Sequence, residues 1–154
     1  MRRVQWLLVP AFVYLAFQLA DGSAGIAHAQ GGSVKAVFEK HNLLGTFAWD
    51  CARPASKDNL YFVNRLMDAD HIQRDQMSGP STRDNVTIID KAGSRAANEI
   101  IVSGTRDGEP AYAIWRLERD RQVAVEANIG GKRLISDGRL LSTGREIPWV
   151  NKCD

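Results

Sequence analysis

The sequence predicts a mainly β fold, an antiparallel up-and-down meander that closes into a small barrel behind one short N-terminal helix. Three observations carry the prediction. Apolar residues recur at every second position from Phe47 onward, the segments between them are joined by short connections rich in Gly and Asp, and two cysteines, Cys51 and Cys153, stand near opposite ends of the folding segment. Alternate residues of a strand share a face, so period-two patterning marks half-buried strands. Connections too short for a crossover helix require neighbouring strands to run antiparallel.

The chain opens with Met1-Arg2-Arg3 and an uncharged apolar run from Trp6 to Phe17, then reaches small residues ending in Ala27-His28-Ala29. The charged start, the apolar stretch and the A-x-A pattern predict a removable signal peptide over residues 1–29. The apolar run is about fifteen residues, short of the roughly twenty needed to span a bilayer, and Pro10 interrupts it. Residues 30–154 are then expected to form one exported domain, periplasmic or secreted, with no stable membrane anchor after cleavage.

Gln30, Gly31, Gly32 and Ser33 lead into the helix. Val34, Val37, Phe38 and His41 fall on one helical face, with Ser33 as N-cap and Gly45 as the stop. The first strand places Gly45, Phe47, Trp49 and Cys51 on one face, and Leu60, Phe62 and Leu66 mark the second. Residues 71–77 are a weaker, polar strand candidate. Val86 and Ile88, then Ile100 and Val102, mark two more. Ala111, Ala113, Trp115 and Leu117 alternate with Tyr112, Ile114 and Arg116, and Val123, Val125 and Ala127 alternate with Gln122, Ala124 and Glu126. Residues 134–141 hold the last clear strand. Asp107-Gly108 is a tight-turn pair, residues 118–121 and 128–131 serve the next two joins, and Asp137-Gly138 marks a bend or a further hairpin. Seven or eight strands in so short a chain hide their edges by closing the sheet.

Two cysteines in an exported domain most simply pair, and a Cys51–Cys153 bridge would pin the C-terminal segment against the first strand. The charge is nearly balanced, 20 Lys and Arg against 18 Asp and Glu, which argues against a nucleic-acid partner.

Leu44-Gly45-Thr46-Phe47-Ala48-Trp49-Asp50-Cys51, following the helix, resembles the opening of lipocalin-like barrels, where a short helix leads into a G-x-W motif on the first strand. Here Phe47 holds the tryptophan position and Trp49 comes two residues later. The chain also resembles small uncharacterised exported proteins of rhizobial-type bacteria, through the G-T-F-A-W-D-C opening, the S-G-T-R-D-G turn over residues 103–108 and the terminal cysteine. The first resemblance implies a lipocalin-like barrel; the second implies export and carries no activity.

No motif assigns catalytic residues, a metal site or a cofactor. The densest polar cluster is Asp68-Ala69-Asp70-His71, with Arg74 and Asp75 close behind; its first four residues offer two carboxylates and an imidazole, as a metal site or an acid–base pair would need and as a solvated turn would equally show. Ser78 and Ser103 lack a nucleophile elbow. Aromatic rings are the remaining handle: Phe47, Trp49, Tyr61, Phe62, Tyr112, Trp115 and Trp149 would either fill a small barrel or line a pocket in it. Phe47, Trp49, Tyr61, Tyr112 and Trp115, with Arg65 and Arg116 as strand arginines able to face an anionic head group, form the candidate ligand-binding set. The sequence reading is a small binding or accessory protein suited to a small apolar ligand. The alternative is an interaction module, such as an inhibitor or accessory subunit of an envelope enzyme, working through loops at residues 52–59 and 78–84.

Overall fold

The computed structural model describes residues 32–153; the expected signal peptide lies outside the described residues. The helix α1 (Val34–Lys40) is followed by β1 (Gly45–Ala48), β2 (Tyr61–Leu66), β3 (Ile72–Met77), β4 (Arg83–Ala96), β5 (Glu99–Arg106), β6 (Glu109–Glu118), β7 (Arg121–Ile129), β8 (Lys132–Ser136), β9 (Arg139–Leu140) and β10 (Val150–Lys152). Strands β1 to β9 pair in chain order, every pair antiparallel, and β10 lies between β1 and β7, so eight strands close into a barrel as the patterning predicts. The edge of β7 is shared. Its residues Arg121 and Gln122 pair with β10, and Ala127 to Ile129 pair with β8, so the β8–β9 hairpin takes over the wall where β10 ends.

The turns follow their sequence signals. Asp107 and Gly108 have φ of 49° and 88°, Gly130 and Gly131 57° and 78°, and Asp137 and Gly138 51° and 73°. Two successive left-handed residues match the right-handed twist of the flanking strands, which is why these pairs make two-residue hairpins. In α1, Ser33 Oγ accepts the Ala36 amide at 3.2 Å, as expected of an N-cap. The helix ends at Lys40, and the left-handed residue after it is Asn42 (φ 54°), not Gly45, which belongs to β1. Asparagine tolerates that conformation better than most residues with a side chain, so it does the work assigned to glycine.

The helix plugs one end of the barrel. Val34 and Phe38 are buried with Leu43, Phe47, Ile72, Ile89, Ile100, Val102, Trp115 and Val150 in one core, and the Phe38 ring meets Trp115 edge-on at 6.1 Å. The bridge between Cys51 and Cys153 spans 102 residues with the Cα atoms 5.3 Å apart, and Cys153 N donates to Thr46 O at 2.9 Å, which holds the C-terminal strand to β1. A disulfide of this kind fits an oxidising compartment, and among the described residues no helix is long and apolar enough to cross a membrane.

Three local readings change. The segment 134–141 splits at Asp137-Gly138 into β8 and β9, and β10 follows beyond it. In β4 the register shifts between Ile89 and Lys91; Thr87 and Ile89 face inward, and Val86 and Ile88 point out. A shift opposite Ile114 and Trp115 likewise breaks the face expected of Val123, Val125 and Ala127. Val123 and Val125 instead join Ile114 in a second cluster that Ile101, Ile147 and Trp149 cover. An extra residue in one strand swaps the sides of everything beyond it, so each bulge inverts a reading based on strict alternation.

Candidate functional site

Above the helix plug the barrel is hollow. A cavity of about 640 Å³ lies between the sheet walls, within the range of small-molecule sites. Its origin is legible in side-chain size. The inward positions of β6 and β7 bordering it include Ala111, Ala113, Ala124 and Ala127, and an eight-stranded barrel fills its interior only when those positions carry larger groups. Aromatic and aliphatic residues supply the rest: Trp49, Phe62 and Trp115 border the cavity from the barrel, and Leu134, Leu140 and Ile147 border it from the hairpin side.

Strand register then sets a polar row across this apolar wall. Asn64 pairs with Arg74, Arg74 with Thr87, and Thr87 with Arg106, so two arginines and a threonine lie abreast on β3, β4 and β5. Arg74 is enclosed within the barrel, and the surface it retains borders the cavity. Its guanidinium carbon sits 4.5 Å from the Phe62 ring centroid and 4.6 Å from that of Trp115. Nη1 donates to Asn64 Oδ1 at 2.9 Å, and Asn64 is itself oriented because its Nδ2 donates to Leu43 O at 2.6 Å. Arg106 Nη2 donates to Gln76 Oε1 at 3.3 Å.

Among the described residues neither Arg74 nor Arg106 has a carboxylate within ion-pair distance. Withdrawing a cation from water costs several kcal/mol. An aromatic face returns about 2 kcal/mol at a desolvated site, and a hydrogen bond to a charged group about 1.5–3 kcal/mol. The residual strain shows in acidity. Burial, and then the like charge of Arg106, draw the Arg74 guanidinium down to about 9, and burial lowers Arg106 against the opposing pull of Asp107. Both remain cations at neutral pH, held beside an apolar chamber.

The structure sorts the sequence-derived candidates by the parity of their strands. Trp49 and Trp115 border the cavity. Tyr112 lies at its boundary between inward Ala111 and Ala113, with its hydroxyl donated to Glu126 Oε1 at 2.6 Å, a bond that raises the phenol's pKa above its ordinary value. Phe47 is packed in the core beneath. Tyr61 donates its hydroxyl to Arg53 O at 2.6 Å, outside the chamber. Arg65 pairs with Asp75 on the outer face, where Arg83 and Gln73 also reach that buried carboxylate, and Arg116 pairs with Glu99 at 2.9 Å. Arg65 follows inward Asn64 and Arg116 follows inward Trp115, so both must point out. The inward cations are Arg74 and Arg106, which sequence reasoning missed although parity from Ile72 and from Ile100 would have located them.

The Asp68–Asp75 cluster does not converge. Asp68 and His71 share a contact of 2.8 Å at the exposed β2–β3 turn, where the Asp70 amide and His71 together hold the Asp68 carboxyl below its ordinary range. Asp75 is buried among arginines on the next strand face. Among the described residues no three His, Cys, Asp or Glu side chains are grouped to hold a metal ion. Comparison of the chain with known protein families, with curated proteins and with solved structures gives no match.

Proposed function

We propose that this protein is an exported binding protein that carries a small, largely apolar ligand inside its barrel. The observation that carries the reading is the cavity of about 640 Å³ walled by alanines at positions where a barrel core would place larger side chains. The polar residues bordering the cavity include three arginines, two amides and the Thr87 hydroxyl, groups suited to holding a ligand in place. Export rests on the charged and apolar N-terminus with its A-x-A site, and the disulfide is in keeping with it.

Native mass spectrometry on protein purified from its own source tests the reading directly. The expected spectrum contains a species heavier than the disulfide-bonded chain by the mass of one small molecule, and an empty chain under every gentle condition counts against a carrier. Filling the chamber gives an independent check. Ala113 pairs with Val102 and Ala127 within the wall, and its side chain borders the cavity. Ala113→Leu is expected to change stability by less than about 1 kcal/mol, because the added carbons enter empty space. The same substitution is expected to weaken the neutral fluorescent probe N-phenylnaphthylamine by about tenfold or more. Unchanged probe affinity would place the bound dye elsewhere and remove the cavity as the site.

A further inference from the structure

We propose that the cavity selects amphipathic anions, molecules with an apolar body and one carboxylate-type group seated against Arg74 and Arg106. The inference rests on the carrier reading and specifies its ligand class. Among the described residues bordering the cavity, the charged ones are Arg74, Arg106, Arg145 and Glu146, and the Glu146 carboxylate is already engaged by Arg139. Neither acid nearest Arg106 in sequence is within ion-pair distance of it. Asp107 Oδ1 accepts the Val86 amide at 3.0 Å, and the Glu109 carboxylate lies over Gly130, where a Cβ would stand 2.6 Å from its Oε2. The chamber therefore holds cations in excess, and a ligand is the available source of the missing charge.

The geometry of Arg74 favours a carboxylate over a diffuse counter-charge. Phe62 and Trp115 both pack their rings against its guanidinium, and the polar surface it offers is its edge, which carries the five N–H donors. Asn64 takes one of them. A planar fork with unspent donors at a fixed angle matches the two oxygens of a carboxylate. Thr87 stands between the two arginines in register and adds a hydroxyl to the same row. Against this row, the small-residue wall of β6 and β7 leaves space for an apolar tail, with Leu134 and Ile147 toward the hairpin.

The test compares two probes of equal chain length, dodecanoate and dodecanol, by displacement of N-phenylnaphthylamine from the disulfide-bonded protein at neutral pH. Dodecanoate is expected to bind about tenfold or more tightly than dodecanol, the discrimination that a hydrogen-bonded charge pair confers. Arg74→Met should remove that advantage and leave dodecanol within about twofold of its original affinity. Arg106→Gln should reduce the advantage in the same direction, and it carries the comparison if Arg74→Met, lacking the guanidinium packed on two rings, fails to fold. Equal affinity of the native protein for both probes, or arginine variants that bind dodecanoate as the native protein does, overturns anion selection and leaves the carrier reading standing. Binding of neither probe removes both.

Discussion

Breaking the Cys51–Cys153 bridge is expected to cost the domain about 4 kcal/mol and to lower its melting temperature by roughly 10–20 °C. Two effects act together. A link between residues 102 apart in sequence removes a large share of the unfolded chain's freedom, and that freedom returns on reduction. The barrel's closing seam is also short. Strand β10 has three residues and makes two pairs with β1 and two with β7, so few ladder bonds oppose its release. Neighbouring bonds help: Cys153 N donates to Thr46 O at 2.9 Å, Asn151 Nδ2 to Trp49 O at 3.0 Å, and Lys152 Nζ to the Leu44 carbonyl. They depend on the strand staying in place and will be lost with it. Calorimetry of the native protein with and without reductant, and of the Cys51→Ser/Cys153→Ser double variant, measures the effect. A loss below about 1 kcal/mol would mean that the hydrogen-bonded seam closes the barrel without the sulfur link. Because Trp49 borders the cavity and its carbonyl accepts from Asn151, the reduced protein is also expected to bind N-phenylnaphthylamine more weakly.

What could be read in the sequence and what could not divide along physical lines. Strands that bury apolar side chains on one face announce themselves, and β5 and β6 were legible as strands in which Ile100 and Val102, and Ala113 and Trp115, each share a face. Turns whose backbone demands left-handed residues were legible for the same reason, at Asp107-Gly108 and at Gly130-Gly131. Strand β3 read as weak because its inward positions beyond Ile72 are Arg74 and Gln76, polar groups that serve the chamber and break the alternation that would have marked it. The site was thus hidden by its own chemistry. Arg65 and Arg116 drew attention as strand arginines, yet each is one residue out of phase with the inward face and carries a carboxylate partner outside. Strand β10 was too short to show any period, and its place follows from the disulfide, which the sequence did indicate. The cavity itself depends on which residues face each other across the closed barrel, and Ala113, Ala124 and Ala127 become a hollow only once the bulge opposite Ile114 and Trp115 has set their register.

The other large effect is expected at Gly104, where replacement by alanine should destabilise the domain by about 3 kcal/mol. Gly104 lies on the cavity wall opposite Ile89, next to the register shift between Ile89 and Lys91, and there β4 bends hard against β5. A Cβ built on Gly104 would stand 1.9 Å from Ile88 O and 3.0 Å from Ile89 Cα. Both obstacles are backbone, so no side-chain rotation relieves the clash, and the strands must separate where Thr87 and Arg106 are paired. Ala113→Leu adds more atoms to the same wall, yet its expected cost is small, because behind Gly104 stands a strand and in front of Ala113 stands a void. Urea unfolding of the two variants separates these cases. A Gly104→Ala protein within about 1 kcal/mol of the native one would show that β4 can yield at its bulge. It would also mean that the spacing of the Arg74–Thr87–Arg106 row is not fixed by this contact. If the cost is as large as expected, the tight approach of β4 to β5 is what holds the two cations abreast, and any variant that loosens it should lose anion preference before it loses the apolar chamber.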